Sequence, residues 1–565
     1  MLRALIFLLL APALVAQTAI ISPQDIVRPV VAEKGMVVAS EPLAAQAGLA
    51  VLKAGGNAVD AAVTMGFVMA VTLPRAGNLG GGGFMLVHSA AGKSQLIDYR
   101  ETAPAAASRD MYLDPEGNPD ATLSRFSHLA VGVPGTVAGL AKALAAEGSI
   151  SLAEALAPAI RLAREGFPMP ASLARDLESR RERLFANSAV RAAFFKPDGS
   201  SHAVGETFDQ PDLARTLQAI ADAGPAGFYR GAFARALASE MKANGGLISE
   251  ADMANYQAIV RQPVSGSYRG YRIISTPPPS SGGIHILQIL NILEGEDLRS
   301  SGHNSAATIH RMAESMKLAY ADRSKYLGDP GFARIPQAGL ISKAYAAELR
   351  AKIAKTARPS AEIHPGEPPG YESNETTHFS VVDAAGNAVS NTYTLNFSFG
   401  CGIMVPSTGV LLNNEMDDFS AKPGVPNAYG LVGGEANAVA PGKRMLSSMS
   451  PTIVLKDGKV FLVTGTPGGA RIITTNVQII LNLIDHHMNI QEAVNAPRMH
   501  HQWLPDELRI ESGISPDTLN LLRTRGHKIS LGNTMGAASS IMIDPSSGWR
   551  YGAADPRRNG LAVGY

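Results

Sequence analysis

The sequence contains a single cysteine, Cys401, among 565 residues. It cannot close an internal disulfide, and no paired-cysteine or Cys/His spacing offers a structural zinc site. Stability must therefore come from packing. Charge is scarce as well: Lys and Arg number 50, Asp and Glu 49, and charged residues make up 18% of the chain. A net charge of +1 creates no general field for nucleic acid or an anionic membrane surface, so neither is expected as a partner. Long apolar runs are missing beyond the N terminus, where Arg3 precedes an uncharged stretch from Ala4 to about Val15. That stretch is interrupted by Pro12 and is shorter than the roughly 20 residues of a spanning helix. It is expected to be an export signal. Ala11-Pro12-Ala13, Ala16 and Ala19 all present small residues for cleavage, and residues 1–19 are assigned to the signal. The mature protein is then expected to be periplasmic or secreted, without stable membrane insertion. No HExxH motif or GxSxG elbow is present, and the 13 histidines are scattered apart from His486-His487 and His500-His501. The expectation is a site with no metal and no organic cofactor.

Apolar residues make up 45% of the chain, ample for a large buried core. Two helical patterns between Glu41 and Leu73 are separated by Ala54-Gly55-Gly56-Asn57, where glycine stops the first helix and Asn57 caps the second. The second is apolar nearly all round and should be central. Gly80 to Gly83 precede FMLVH, which has strand character. A phosphate cradle would open a helix and carry Gly-Lys-Ser/Thr, so close backbone packing is expected instead. Residues from about Leu152 to Gly245 read as a helical layer. Strand-like SGSYRGYRIIST is followed by PPPSSGG and a buried helix, IHILQILNIL. From Pro359 to Glu375 the composition becomes Pro-, Gly- and Glu-rich, as in an exposed connector. Immediately afterwards TTHFSVVDAAGNAVSNTYTLNFSFG reads as a β-hairpin turning at Ala384-Ala385-Gly386-Asn387. Cross-strand partners should sum to about 771, placing Thr376 opposite or diagonal to Thr394-Leu395. Mixed sheet and helix layers are the economical architecture.

A flexible connector leading abruptly into a strand that begins Thr376-Thr377 is what a self-processing N-terminal nucleophile requires. Cutting between Glu375 and Thr376 would give Thr376 an α-amine with a reference pKa of about 7.7–8.0, suited to accepting the proton of its own hydroxyl. Two ordinary strand threonines are the bland alternative. His378 could serve as a base, although a neighbour on the strand is more often an orienting group. Gly468-Gly469 could aim backbone N–H groups at an oxyanion, and Ser447-Ser448 lie between turn-forming residues; tight turns alone explain both equally well. Asn413-Asn414-Glu415-Met416-Asp417-Asp418 is either a solvated loop or a recognition site for an ammonium group. Cys401, between Gly400 and Gly402, reads as a small thiol in a turn.

A family resemblance joins these fragments. GGNAVDAAV (55–63), AGNLGGGGFM (76–85), PPPSSGGIH (277–285), YADRSKYLGDP (320–330), SNETTHFSVVD (373–383), LLNNEMDDFSAKPGVPNAYGLVGGEANAV (411–439), LSSMSPTIV (446–454), TPGGARIITT (466–475) and HHQWLPDELR (500–509) closely resemble the γ-glutamyltranspeptidases (glutathione hydrolases) of the N-terminal nucleophile hydrolase superfamily. The resemblance implies an α+β, four-layer αββα sandwich. It also implies a precursor cut into a large subunit, 20–375, and a small one, 376–565, that stay associated. Thr376 would be the nucleophile and Thr394 its hydrogen-bonding partner, with Gly468 and Gly469 as the oxyanion pair. Arg100 would hold the substrate α-carboxylate with Ser447 and Ser448, while Asn396, Glu415 and Asp418 surround the α-amine. Tyr429 would be an aromatic lid. Substrates would be glutathione, related γ-glutamyl compounds and acceptor amino acids or peptides. The rival readings are a glutaryl-type β-lactam acylase of the same fold and an uncleaved glutathione-binding protein.

Overall fold

The computed structural model of the chain describes residues 27–368 and 378–565. The expected signal segment, and the expected cleavage point with Glu375, Thr376 and Thr377, lie outside the described residues. Two seven-stranded sheets form the centre. One runs in the order Leu561–Gly564, Met36–Ala39, Phe379–Val382, Ala388–Thr394, Gly82–His88, Ser94–Tyr99, Ile259–Arg261. The other runs Val30–Ala32, Arg550–Ala554, Ser539–Ile543, Lys459–Thr464, Thr452–Lys456, Tyr271–Ser275, Val264–Tyr268. Every neighbouring pair in both is antiparallel.

Antiparallel strands with both faces apolar demand a covering layer on each side. Between the sheets lie Phe84, Leu86, Ile274, Val382, Ile453 and Ile541, all buried together. On the outer face of the first sheet pack the helices Pro42–Lys53, Ala58–Thr72, Thr136–Glu147 and Leu152–Glu165. Gly282–Leu293, Ala306–Tyr326 and Arg471–Ile484 cover the second. The order helix, sheet, sheet, helix is the expected αββα sandwich. Ala58–Thr72 is buried along its whole length, as its all-round apolarity requires, and Asn57 and Asp60 close a capping box at its start.

The hairpin forms between Phe379–Val382 and Ala388–Thr394, with partners such as Ser380 and Ser390. These pairs sum to one less than expected, because the turn holds an odd number of residues between Val382 and Ala388. Each sheet contains strands from before residue 369 and strands from after residue 377, and the last strand, Leu561–Gly564, pairs with Met36–Ala39. The two portions of the chain therefore share both sheets and one core.

The glycine run is packed backbone to backbone. A Cβ on Gly81 would stand 1.9 Å from the carbonyl oxygen of Thr394, and one on Gly80 2.1 Å from that of Leu411. The connector departs from the expectation of uniform exposure: Ser360 and Ile363 are buried, and the Trp503 indole donates to both of their carbonyl oxygens. An apolar anchor thus ties down its first residues, which composition alone conceals. No helix among the described residues is long and apolar enough to cross a membrane.

Candidate active site

At the end of the hairpin strand Ala388–Thr394 the chain turns sharply. Thr394 accepts a hydrogen bond on its hydroxyl oxygen from the N–H of Asn396, 2.8 Å away. Asn396 takes a left-handed backbone, φ 70°, a conformation asparagine tolerates better than most residues. The carbonyl of Thr394 is held by Asn78, which also accepts from Gly81 N–H and the Thr136 hydroxyl. Asn78 lies within AGNLGGGGFM, so one polar side chain explains why that loop and the hairpin meet.

Thr394 opens onto a cavity of about 960 Å³ that Arg100, Asn396, Glu415, Asp418, Tyr429, Gly468 and Gly469 also line. Eight of the sequence-selected positions thus converge from five stretches of chain. Ser447 and Ser448 do not line it. They are fully buried, and neither hydroxyl oxygen has a hydrogen-bond partner among the described residues. Their segment touches the site through Met445, whose carbonyl accepts from Arg100 Nε at 3.4 Å.

Arg100 follows the strand Ser94–Tyr99 and has no exposed surface. Its planar fork is divided between two carboxylates: Nη1 donates to Glu415 at 2.5 Å and Nη2 to Asp418 at 2.6 Å. Both acids sit on one buried turn of 3-10 helix, Glu415–Asp418, so the acidic loop is not a solvated one. Glu101, not singled out in the sequence, stands 3.5 Å from Arg100 Nη1. Burial pushes its carboxyl up to about 7 against the pull of Arg100. Burial likewise raises Asp418 to about 6, again opposed by Arg100. Arg100 thus stands among three buried carboxylates, with Arg323 also acting on Asp418, and fixed groups of both signs are what a zwitterionic head group needs.

Gly468 and Gly469 have φ of 138° and 57°, values that a Cβ would strain. A Cβ on Gly469 would also meet the Tyr429 ring at 2.9 Å. Tyr429 donates from its hydroxyl to Asn396 Oδ1 at 2.7 Å and packs edge-on against Phe397. It therefore lies against Gly469 and the Asn396 turn. Arg471 N–H bonds to the Gly468 carbonyl at 3.2 Å, fixing the loop at the start of the helix Arg471–Ile484.

His378 is fully buried, with Nδ1 3.1 Å from the Thr392 hydroxyl and Nε2 2.7 Å from that of Ser380. Desolvation drives its pKa down to about 3, so it is a neutral ring locked between hydroxyls and orients the strand. Cys401 is buried and its thiol is pushed up to about 12 by desolvation, which makes it a packing group. One set of ligand-type side chains was not foreseen: His310, Glu314 and His527 come together in the interior. Their atoms already serve one another and the chain. His310 Nδ1 lies 2.8 Å from His527 Nε2, its Nε2 lies 2.8 Å from the Ala354 carbonyl, and Glu314 pairs with Lys317 at 2.8 Å.

Paired antiparallel sheets between helical layers, with a cavity that Thr394 lines, are the architecture of the N-terminal nucleophile hydrolase class. The family model described as Gamma-glutamyltranspeptidase matches residues 44–565, and the chain belongs to this family. It is 55% identical over 544 residues to a glutathione hydrolase proenzyme of Escherichia coli K12, covering 96% of this chain and 94% of that one. A glutathione hydrolase proenzyme of Pseudomonas sp. A14 is 49% identical over 548 residues, covering 95% of each. An acylase ACY 1 proenzyme of Pseudomonas sp. V22 is 41% identical over 544 residues, covering 95% of this chain and 94% of that one. Among solved structures, a cephalosporin acylase from Bacillus halodurans superposes with a TM-score of 0.85 at 31% identity, covering 95% of this chain and 97% of that one. The γ-glutamyltranspeptidase of Helicobacter pylori gives 0.57 at 46% identity, covering 58% and 94%.

Proposed function

We propose that this protein is an exported γ-glutamyltransferase and glutathione hydrolase, made as a precursor that cuts itself before Thr376. It transfers the γ-glutamyl group of glutathione and related amides to water or to the amine of an amino acid or peptide. The observation that carries this reading is the buried set of Arg100, Glu415 and Asp418 in the same cavity as Thr394 and the Gly468-Gly469 loop. A zwitterionic α-amino acid head needs fixed charges of both signs, and an apolar acyl group needs neither.

The cavity that Thr394 lines supports the following course of reaction. The Thr376 hydroxyl, relieved of its proton by its own α-amine, attacks the γ-carbonyl and expels the amine, leaving an ester. Backbone N–H groups of Gly468 and Gly469 stabilise the oxyanion on the way in and on the way out. The substrate carboxylate takes a share of the Arg100 fork, whose Nε is held by the carbonyl of Met445, close in sequence to Ser447 and Ser448. The ammonium group goes to Glu415 and Asp418, with the Asn396 amide beside them, and Tyr429 covers the result. No step calls on a metal or cofactor.

The acylase relatives keep a second reading in view, since a glutaryl side chain lacks the α-amine. Two carboxylates set around Arg100 favour the γ-glutamyl donor, and turnover of γ-glutamyl against glutaryl anilide decides between the two. A binding protein for glutathione would remain a single uncut chain. The direct test is Thr376→Ala, which should give one uncut polypeptide with no turnover. Normal cutting or turnover in that variant would remove the mechanism.

A further inference from the structure

The cleft does not end at the glycine pair. The cavity that holds Arg100 and Thr394 shares Arg75, Arg180, Ser398, Pro467, Gly468 and Arg471, together with Arg558, with a neighbouring cavity of about 850 Å³. That second cavity contains Gly468 but neither Thr394 nor Arg100. The two form one trough running from the buried acidic floor, past the oxyanion loop, to the outside.

The shared stretch is strongly cationic, and among the described residues only Arg75 of its four arginines has an ion-pair partner. Arg75 pairs with Asp176 at 2.9 Å. Among the described residues the Arg180 side chain bonds only to the Ser179 hydroxyl, at 2.6 Å. The side chains of Arg471 and Arg558 make no hydrogen bond or ion pair among the described residues. The acids along the same walls are committed elsewhere. Glu41 caps Leu43 and Ala44 and accepts from Thr72, while Glu415 and Asp418 hold Arg100. Glu507, which faces Arg471, pairs with Arg509 at 2.5 Å. The crowding is felt electrostatically: after burial itself, Arg509 is the next influence lowering Arg471, and Arg180 acts the same way on both Arg75 and Arg183. Low-dielectric walls lined by one sign of charge concentrate counter-charged ligands.

We infer that this arginine trough is the subsite for the leaving group and the acceptor, and that it selects amines carrying a free carboxylate, with dicarboxylic peptides favoured over monocarboxylic ones. The inference rests on the γ-glutamyl-transfer reading above. With the γ-glutamyl head at Arg100 and its carbonyl at Gly468-Gly469, whatever follows the amide nitrogen must extend past Gly468. There Arg180, Arg471 and Arg558 offer planar donors to a C-terminal carboxylate. In the second half-reaction the acceptor nitrogen bonds to the γ-carbonyl carbon and the ester bond to the threonine oxygen breaks. The proton lost by the amine returns to that oxygen through the threonine amine. The arginines take no part in this exchange; they hold the acceptor's far end.

The test uses the mature enzyme with γ-glutamyl-p-nitroanilide as donor and three acceptors: glycylglycinamide, glycylglycine and glycylglutamate. The acceptor KM should fall in that order, by about tenfold from the amide to the acid, the effect of one charge-assisted hydrogen bond. Arg180→Gln and Arg558→Gln, measured singly, should each narrow the amide-to-acid KM ratio by about threefold or more, and raising the salt should narrow it in the parent. Equal KM values for amide and acid in the parent would overturn the inference, as would an unchanged ratio in both variants. Absence of anilide release by the mature parent without any acceptor would instead count against the γ-glutamyl reading. The ratio compares two acceptors within one protein, so a general loss of activity cannot imitate the result.

Discussion

Replacing Arg100 by lysine keeps the charge and removes the fork. In the structure two separate nitrogens serve two carboxylates, at 2.5 Å to Glu415 and 2.6 Å to Asp418. A lysine ammonium is a single point on a flexible stem and cannot reproduce both bonds in one geometry. One hydrogen bond to a charged group is worth about 1.5–3 kcal/mol, which is about a ten- to 150-fold loss at 1.4 kcal/mol per decade. Because the charge stays, the larger penalty of about 3–5 kcal/mol for leaving a buried ion unpaired is avoided, and the chain should still fold. Arg100→Lys should therefore lower kcat/KM for γ-glutamyl-p-nitroanilide by about one to two orders of magnitude, measured by release of nitroaniline from protein shown on a denaturing gel to be cut. A value within threefold of the parent would refute the argument that the planar fork, and not merely a cation, organises the head group.

Other consequences follow from the same site and core. Since burial raises Asp418 to about 6, protons compete with the substrate ammonium below that pH. The donor KM should rise as pH falls from 8 to 5 for γ-glutamyl anilide and stay flat for glutaryl anilide. Gly469→Ala forces a Cβ to 2.9 Å from the Tyr429 ring at a φ of 57°; kcat should fall by about 10²–10³ through disturbance of an oxyanion donor, and an unperturbed kcat would free the glycine pair of that role. His285, His378, His500 and His527 are each driven by burial to about 3, below the unfolded value of about 6.5. The unfolded chain then binds more protons than the native one between pH 6.5 and 3. Their contribution to stability is present above pH 6.5 and lost as pH falls through that window. The thermal midpoint should drop steeply on acidification, with proton uptake on unfolding, and His500→Asn should reduce that uptake.

Local pattern made much of this fold legible. The all-round apolarity of Ala58–Thr72, the glycines before Phe84 and the turn at Gly386 each follow from nearest-neighbour chemistry, and the structure places them as expected. The candidate site residues were singled out chiefly because long stretches resemble one family; spacing by itself left Gly468-Gly469 and the acidic loop ambiguous. Three features could not be read. Arg100 is already engaged by Glu415 and Asp418, a contact across more than three hundred residues that no local pattern announces. Ser360 and Ile363 are pinned by Trp503, which polar composition around them hides. The arginines of the trough come from separate parts of the chain, and in a sequence of near-zero net charge only folding gathers them.

The account depends above all on the bond before Thr376. Intact-mass analysis and N-terminal sequencing of the purified protein should show two polypeptides, the smaller spanning residues 376–565 and opening Thr-Thr-His-Phe. A fully active enzyme that remains one chain, or a small polypeptide that opens at any other residue, would contradict it.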